Sequence, residues 1–312
     1  MPTDVAIYTS PPEDLVNLLR AHHLPHALPL LRRLRFTRFP GGITEHTRIL
    51  FAGAAGLTSD VPAATPFAAA YLDFSRGPAE TELWLYSSLE RRPDTLASAA
   101  SEKWEEEAAR CAHRVLREVK RQRDAYSEER KASSTILVGT LSETLRIALV
   151  NQGVIFAEVD VYDKWMFRRD VVPEVQKPLP EDMLWDRFRR EDIPLMLSRT
   201  HIPRKERTIV LLPSMAIYRR DGRPVAWALL GPDSSLSGLH CEEEWRGRGF
   251  AKAVAVKLWR ERLKEYDDEG YCWADVAPDN IGSQMVCKSL GGKVAWSISW
   301  SRIDLDKSFP DQ

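Results

Sequence analysis

Nowhere in this sequence does an apolar run approach the 18 residues that a membrane-crossing helix needs, so no such helix is expected. The N-terminus, Met1-Pro2-Thr3-Asp4, lacks the basic and apolar regions of a secretory signal. Cysteine is scarce: Cys111, Cys241, Cys272 and Cys287 are the only four, and none stands at metal-ligand spacing. That argues against a zinc centre or a disulfide framework and for reduced thiols in a reducing compartment. Charge of one sign is lacking too, with a formal net charge of −1. A balance that close removes the electrostatic case for nucleic acid or a membrane surface as partner. The expectations are a cytoplasmic protein, no metal, no nucleic acid and no membrane.

What is present is ordinary for a soluble globular chain, 44% hydrophobic and 29% charged. A length of 312 residues is long for one domain and comfortable for two. The informative stretch runs from Ser234 to Trp296. Ser237-Gly238-Leu239-His240-Cys241 reads as a strand, and Phe250, Val254, Leu258 and Trp259 recur at helical spacing through about Tyr266. Between them lies Arg246-Gly247-Arg248-Gly249. Glycine permits a tight turn and a close ligand approach, and the first amides of the new helix lack internal partners. The turn is therefore a natural phosphate site, although a solvated basic turn is the bland alternative. It is a poor dinucleotide fingerprint, because Lys252 occupies the third glycine position. Tyr271 to Val276 reads as a second strand, Pro278-Asp279-Asn280 opens a helix that stops at Gly291-Gly292, and Lys293 to Arg302 reads as a last strand.

In that order these features resemble the GNAT acyltransferase superfamily. Its signature, Arg/Gln-x-x-Gly-x-Gly/Ala, is matched by Arg246, Gly249 and Ala251, and Asn280 with Ser283 followed by Leu290-Gly291 is similar to its later helix. The resemblance implies an acyl-coenzyme A whose pyrophosphate lies on the turn, at Arg246, Gly247, Arg248, Gly249, Phe250, Ala251 and Lys252, with Asn280 and Ser283 nearby. Its pantetheine arm would pair with the preceding strand, Leu239, His240 and Cys241, between two splayed strands. Ala70-Tyr71-Leu72-Asp73-Phe74, Trp84-Leu85-Tyr86, Leu141-Ser142-Glu143-Thr144-Leu145 and Gly222-Arg223-Pro224-Val225-Ala226-Trp227 further resemble the glycine N-acyltransferase-like (FR47-like) group. Those enzymes join a degenerate first GNAT half to an active second one.

Along the first half, Pro12–Arg20 and His26–Leu34 read as amphipathic helices. His22, His23 and His26 fit a solvated junction between them better than a metal site. Arg48–Ala52, Ala68–Phe74 and Glu80–Ser88 read as strands, the last two joined in a hairpin at Ser75-Arg76-Gly77-Pro78. Leu96 to about Lys131 is a helix with one buried face, Thr140–Asn151 another helix, and Val154–Val161 a strand. In the second half, Pro180–Arg189 and Glu191–Arg199 read as helices, and Met215–Tyr218 with Val225–Leu230 as a hairpin. Thr208–Leu212 has strand propensity, where the family's order places the end of a helix. The expected fold is α/β, an α+β mixed sheet in two tandem GNAT-like halves: residues 1–165, a linker at 166–180, and an acyl-CoA-binding domain at 181–312.

The implied activity is acyl-CoA-dependent N-acylation of a small amine or amino acid, by direct transfer in a ternary complex, with acetyl-CoA the default donor. A CoA-binding protein without turnover is the alternative. Relatives carry a Glu or His eleven or nine residues before the signature's first Arg or Gln, positions held here by Ser235 and Ser237, and Cys287 stands where many have a general-acid Tyr. Asp233 and Asp275 are other candidates, Asp275 also fitting a cap on the next turn. His240 has the right proton affinity, but simple alternation puts it on the face opposite Ser235, Ser237, Leu239 and Cys241. The simplest expectation is catalysis by approximation, with serines and water relaying the proton.

Overall fold

The computed structural model describes residues 5–310 apart from 54–55, 59–60, 63, 94–97, 130–131, 175–177, 201 and 268. In chain order the elements are β1 (Ala6–Tyr8), α1 (Glu13–His22), α2 (Leu28–Phe36), β2 (Arg48–Gly53), β3 (Phe67–Leu72), β4 (Leu83–Ser87), α3 (Ser98–Glu129), β5 (Thr135–Ser142) and α4 (Glu143–Asn151). There follow β6 (Phe156–Arg168), β7 (Met183–Asp186), α5 (Ile193–Ser198), α6 (Glu206–Ile209), β8 (Ser214–Arg219), β9 (Pro224–Leu230) and β10 (Leu236–Cys241). The chain closes with α7 (Phe250–Arg262), β11 (Tyr271–Val276), α8 (Ile281–Ser289), β12 (Lys293–Asp304) and α9 (Leu305–Ser308). Residues 1–161 with 297–312 make one compact unit and residues 162–296 a second.

Alternation organises the first unit. Strands β1 to β4 pair antiparallel in sequence order, β4 meets β5 in parallel at Leu83 and Val138, and β5 pairs antiparallel with the end of β12. Leu50, Ala52, Ala68, Ala70, Leu72, Leu83 and Leu85 point to one face, where Cys111, Ala112, Val115, Leu116 and Val119 of α3 cover them. Ile49, Phe51, Phe67, Ala69, Tyr71, Trp84 and Tyr86 point to the other, against leucines of α1 and α2. A period of two on strands sandwiched between periods of 3.6 on helices yields these three layers. Within the second layer His23 is only 2% exposed, its Nδ1 3.0 Å from the Tyr86 hydroxyl. The solvated histidine junction is thus corrected: the ring packs edge-on to Phe67 and Tyr86, because the chain between α1 and α2 turns inward over β3 and β4.

In the second unit β10, β9, β8 and β7 form a four-stranded antiparallel sheet, and the later part of β6 pairs antiparallel with β11. Helix α7 packs on the four-stranded sheet, chiefly against β8 and β9, and its Val254, Ala255, Leu258 and Trp259 are buried. Several expectations change. Pro180–Arg189 is not a helix but contains β7, whose pairing with β8 extends the sheet by one strand. Thr208–Leu212 follows the helical alternative at its start, since Val210 N–H donates to Glu206 O and Ile209 is buried. Thr140–Ser142 belongs to β5, so the helix begins only at Glu143. Residues 166–168, expected in the linker, end β6, with Phe167 buried 4.7 Å from the Trp259 ring; residues 175–177 of that linker lie outside the described residues. Residues 297–312 group with the first unit rather than with residues 162–296. No described helix is long and apolar enough to cross a membrane.

Candidate active site

Strand β10 is the edge of its sheet, and β11 pairs with β6, so no ladder joins β10 to β11 among the described residues. Two strands separated in this way leave backbone groups along the β10 edge for a ligand. The turn after β10 is bare. Gly247 and Gly249 adopt φ of +75° and +85°, the left-handed region where a side chain costs about 1–2 kcal/mol. A Cβ built on either would meet no atom within 4 Å, so the space over the turn is open. Among the described residues the amides of Gly247, Arg248 and Gly249 donate to no backbone carbonyl, and α7 begins immediately after. Arg246 Nε donates to Cys241 O at 3.2 Å, which ties its side chain back to the strand. Arg248 lies over the Trp245 ring, 4.7 Å from the centroid. Lys252 Nζ donates to Ser289 O at 2.7 Å and so joins α7 to α8. Asn280 caps α8, its Oδ1 accepting from Ser283 N–H at 3.0 Å. The turn thus carries positive side chains, open space and backbone amides that donate to no carbonyl among the described residues.

The sequence candidates for proton transfer separate. Asp233 is 1% exposed and its Oδ1 accepts from Ser235 N–H at 3.0 Å and Ser235 O–H at 2.6 Å. That pair stabilises the tight turn between β9 and β10, where Ser234 takes φ +66°. Ser237 Oγ accepts from the Arg204 guanidinium. Cys287 is 3% exposed, and burial pushes its thiol up to about 12, so it behaves as a small apolar side chain. Asp275 does not cap a turn; its Oδ1 accepts from Lys164 Nζ at 2.6 Å, directly across the β6–β11 ladder. Both side chains are buried, and Asp275 Oδ2 has no hydrogen-bond partner among the described residues.

His240 is where the sequence misleads most. The β10–β9 register pairs Ser237 with Leu229 but His240 with Trp227, so three steps on β10 match two on β9. This is a β-bulge, and Gly238 supplies it with φ +60°. One extra residue reverses the alternation beyond it. His240 therefore lies on the same face as Ser237, and Cys241 on the other, correcting the expected placement. Its imidazole stacks on Trp227, with centroids 4.6 Å apart and planes 27° apart. Nε2 is buried without a hydrogen-bond partner; Glu242 Oε2, at 3.8 Å, is too far to accept. Burial holds the imidazole below its ordinary value, opposed by Glu242 and reinforced by Arg246 and Arg199. Arg199 in turn donates to Glu242 at 3.1 Å. Arg199 and Arg204 were not singled out from sequence, and Trp227 was read only as part of a hairpin; the signal for the bulge was the glycine inside a strand, a common mark of one.

A mixed sheet, an open glycine turn and two strands, β10 and β11, that do not pair with each other define an acyl-CoA N-acyltransferase of the GNAT type. The chain belongs to the family described as acyl-CoA N-acyltransferase verG N-terminal domain, whose model matches residues 2–173; a second, FR47-like protein, matches residues 214–301. Among solved structures it is similar to a Drosophila protein, with a TM-score of 0.62 and 15% identity over 93% of this chain and 95% of that one. It is also similar to a tandem GNAT protein from the clavulanic acid biosynthesis pathway, with a TM-score of 0.50 and 10% identity over 96% and 97%. At these identities the likeness speaks for the tandem GNAT fold alone. No curated protein matches.

Proposed function

We propose that the protein transfers an acyl group, by default acetyl, from coenzyme A to a small amine or amino acid within a ternary complex. The second unit holds the thioester at Arg246–Lys252. The carrying observation is the turn itself: two left-handed glycines, open space above them and uncommitted amides at the start of α7. Leu239, His240 and Cys241 offer the β10 edge to the pantetheine arm, while Asn280 and Ser283 fix the start of α8 beside it. The chain's part is to hold the amine and the thioester together and exclude competing water.

Calorimetry with acetyl-CoA tests the cradle. Gly249→Val places a β-branched side chain at φ +85°, so the turn must move, and affinity should fall about tenfold or more. Undiminished affinity puts the thioester elsewhere. Release of free CoA with a panel of small amines separates an enzyme from a CoA-binding protein without turnover; tight binding with no release for any amine supports the second.

A further inference from the structure

We propose that His240 is the general base of the transfer, accepting the acceptor amine's proton at Nε2. This deepens the reading of the protein as an N-acyltransferase and rests on it. Three observations converge. The bulge at Gly238 turns His240 onto the face that carries Ser237. Stacking on Trp227, itself fully buried, fixes the ring plane. Nε2 makes no hydrogen bond of normal length among the described residues; Glu242 Oε2 stands 3.8 Å away, a distance a substrate amine can close between them.

The other candidates are already committed. Asp233 accepts two hydrogen bonds from Ser235, Ser237 accepts from Arg204, Asp275 accepts from Lys164, and the Cys287 thiol is far too weak an acid. The charged groups around His240 come from three directions: Glu242 on its own strand's end, Arg199 from the segment after α5, and Arg246 from the turn. Trp227 on β9 contributes an uncharged face. Burial and the two arginines keep the imidazole neutral at pH 7, and a neutral imidazole is the form that can take a proton.

The step balances simply. The acceptor's ammonium gives one proton to Nε2, and the freed nitrogen lone pair forms a bond to the thioester carbonyl carbon. The C–S bond breaks, its electron pair leaves on sulfur, and the second nitrogen proton passes to that sulfur. His240 then returns its proton to solvent. An amine of lysine-like basicity is only about 0.1% neutral near pH 7.4, so this base matters most for alkyl amines.

The test compares wild type with His240→Gln and His240→Ala, using matched alkyl and aryl amines and acetyl-CoA across pH 5 to 9.5. Wild-type kcat/KM with the alkyl amine should rise to a plateau with an inflection below 6.5. Both variants should lose roughly 10²–10⁴-fold near pH 7 and climb about tenfold per pH unit without a plateau. With the weakly basic aryl amine, which is neutral already, the loss should be under tenfold. Far-ultraviolet circular dichroism and thermal midpoints close to wild type report that the variants are folded. If both variants keep the plateau, or lose alkyl and aryl rates equally, His240 is structural and the assignment falls. If wild type turns over no amine, the N-acyltransferase reading falls and the base with it.

Discussion

Single buried charges set the sharpest tests at the residue scale. Lys164 and Asp275 face one another across β6 and β11, with Lys164 5.0 Å from the Trp273 ring centroid. Removing one member leaves the other buried and unpaired, a loss of about 3–5 kcal/mol; replacing both by apolar residues recovers most of it. Urea unfolding of Lys164→Met, Asp275→Leu and the double variant should therefore show strong coupling. Additive effects would mean that the carboxylate and ammonium act separately. No residue pattern announced this pair. Asp275 was legible as polar chemistry at a strand's end, but its partner lies 111 positions away and only strand pairing brings the two together.

Elements were legible where local periodicity and local structure agree. Strand β2, the hairpin of β3 and β4, helix α3 and the succession β10, turn, α7, β11, α8 all follow from spacing and turn residues. The glycine turn was readable for the same reason: its conformation depends on Gly247 and Gly249 alone. Elements were illegible where a distant partner decides. Met183–Asp186 is a strand because β8 offers it an edge, and Thr140–Ser142 is a strand because β12 pairs with β5. Counting odd and even along β10 failed at one residue, Gly238. The bulge makes its own prediction. Gly238→Val faces Leu229 Cδ1 at 3.7 Å, so the space is tolerable and the cost is the left-handed backbone, about 1–2 kcal/mol. Thermal unfolding should show a drop of that size. Activity should fall further than stability, since the displaced strand segment carries His240.

At the scale of the whole molecule, acid should weaken the fold well before carboxylates are exhausted. Burial holds His23 and His26 at about 4, against 6.5 in an unfolded chain. The unfolded state then binds protons first as pH falls, so stability is full above about 6.5 and declines steadily toward about 4. Glu143, held below the usual carboxylate range chiefly by Arg146, adds a loss in the same direction at lower pH. Urea midpoints measured from pH 7.5 to 4.5 should decline by an amount worth about 2 kcal/mol or more. Replacing His23 with Phe, which fits a pocket of Phe67 and Tyr86, should flatten that dependence by about one proton. An unchanged slope would show that the ring is protonated in the folded state.

The end of β12 lies in the first unit, paired with β5 from Ile298 to Asp304. On a ribosome this has a temporal meaning. β5 emerges roughly 150 residues before its neighbour exists, an interval on the order of ten seconds at common elongation rates. Throughout that interval one edge of β5 lacks its final partner, an opening for chaperones and for strand exchange between nascent chains. The half made first is thus finished last, and a chain cut short before Ser297 should leave the first unit protease-sensitive.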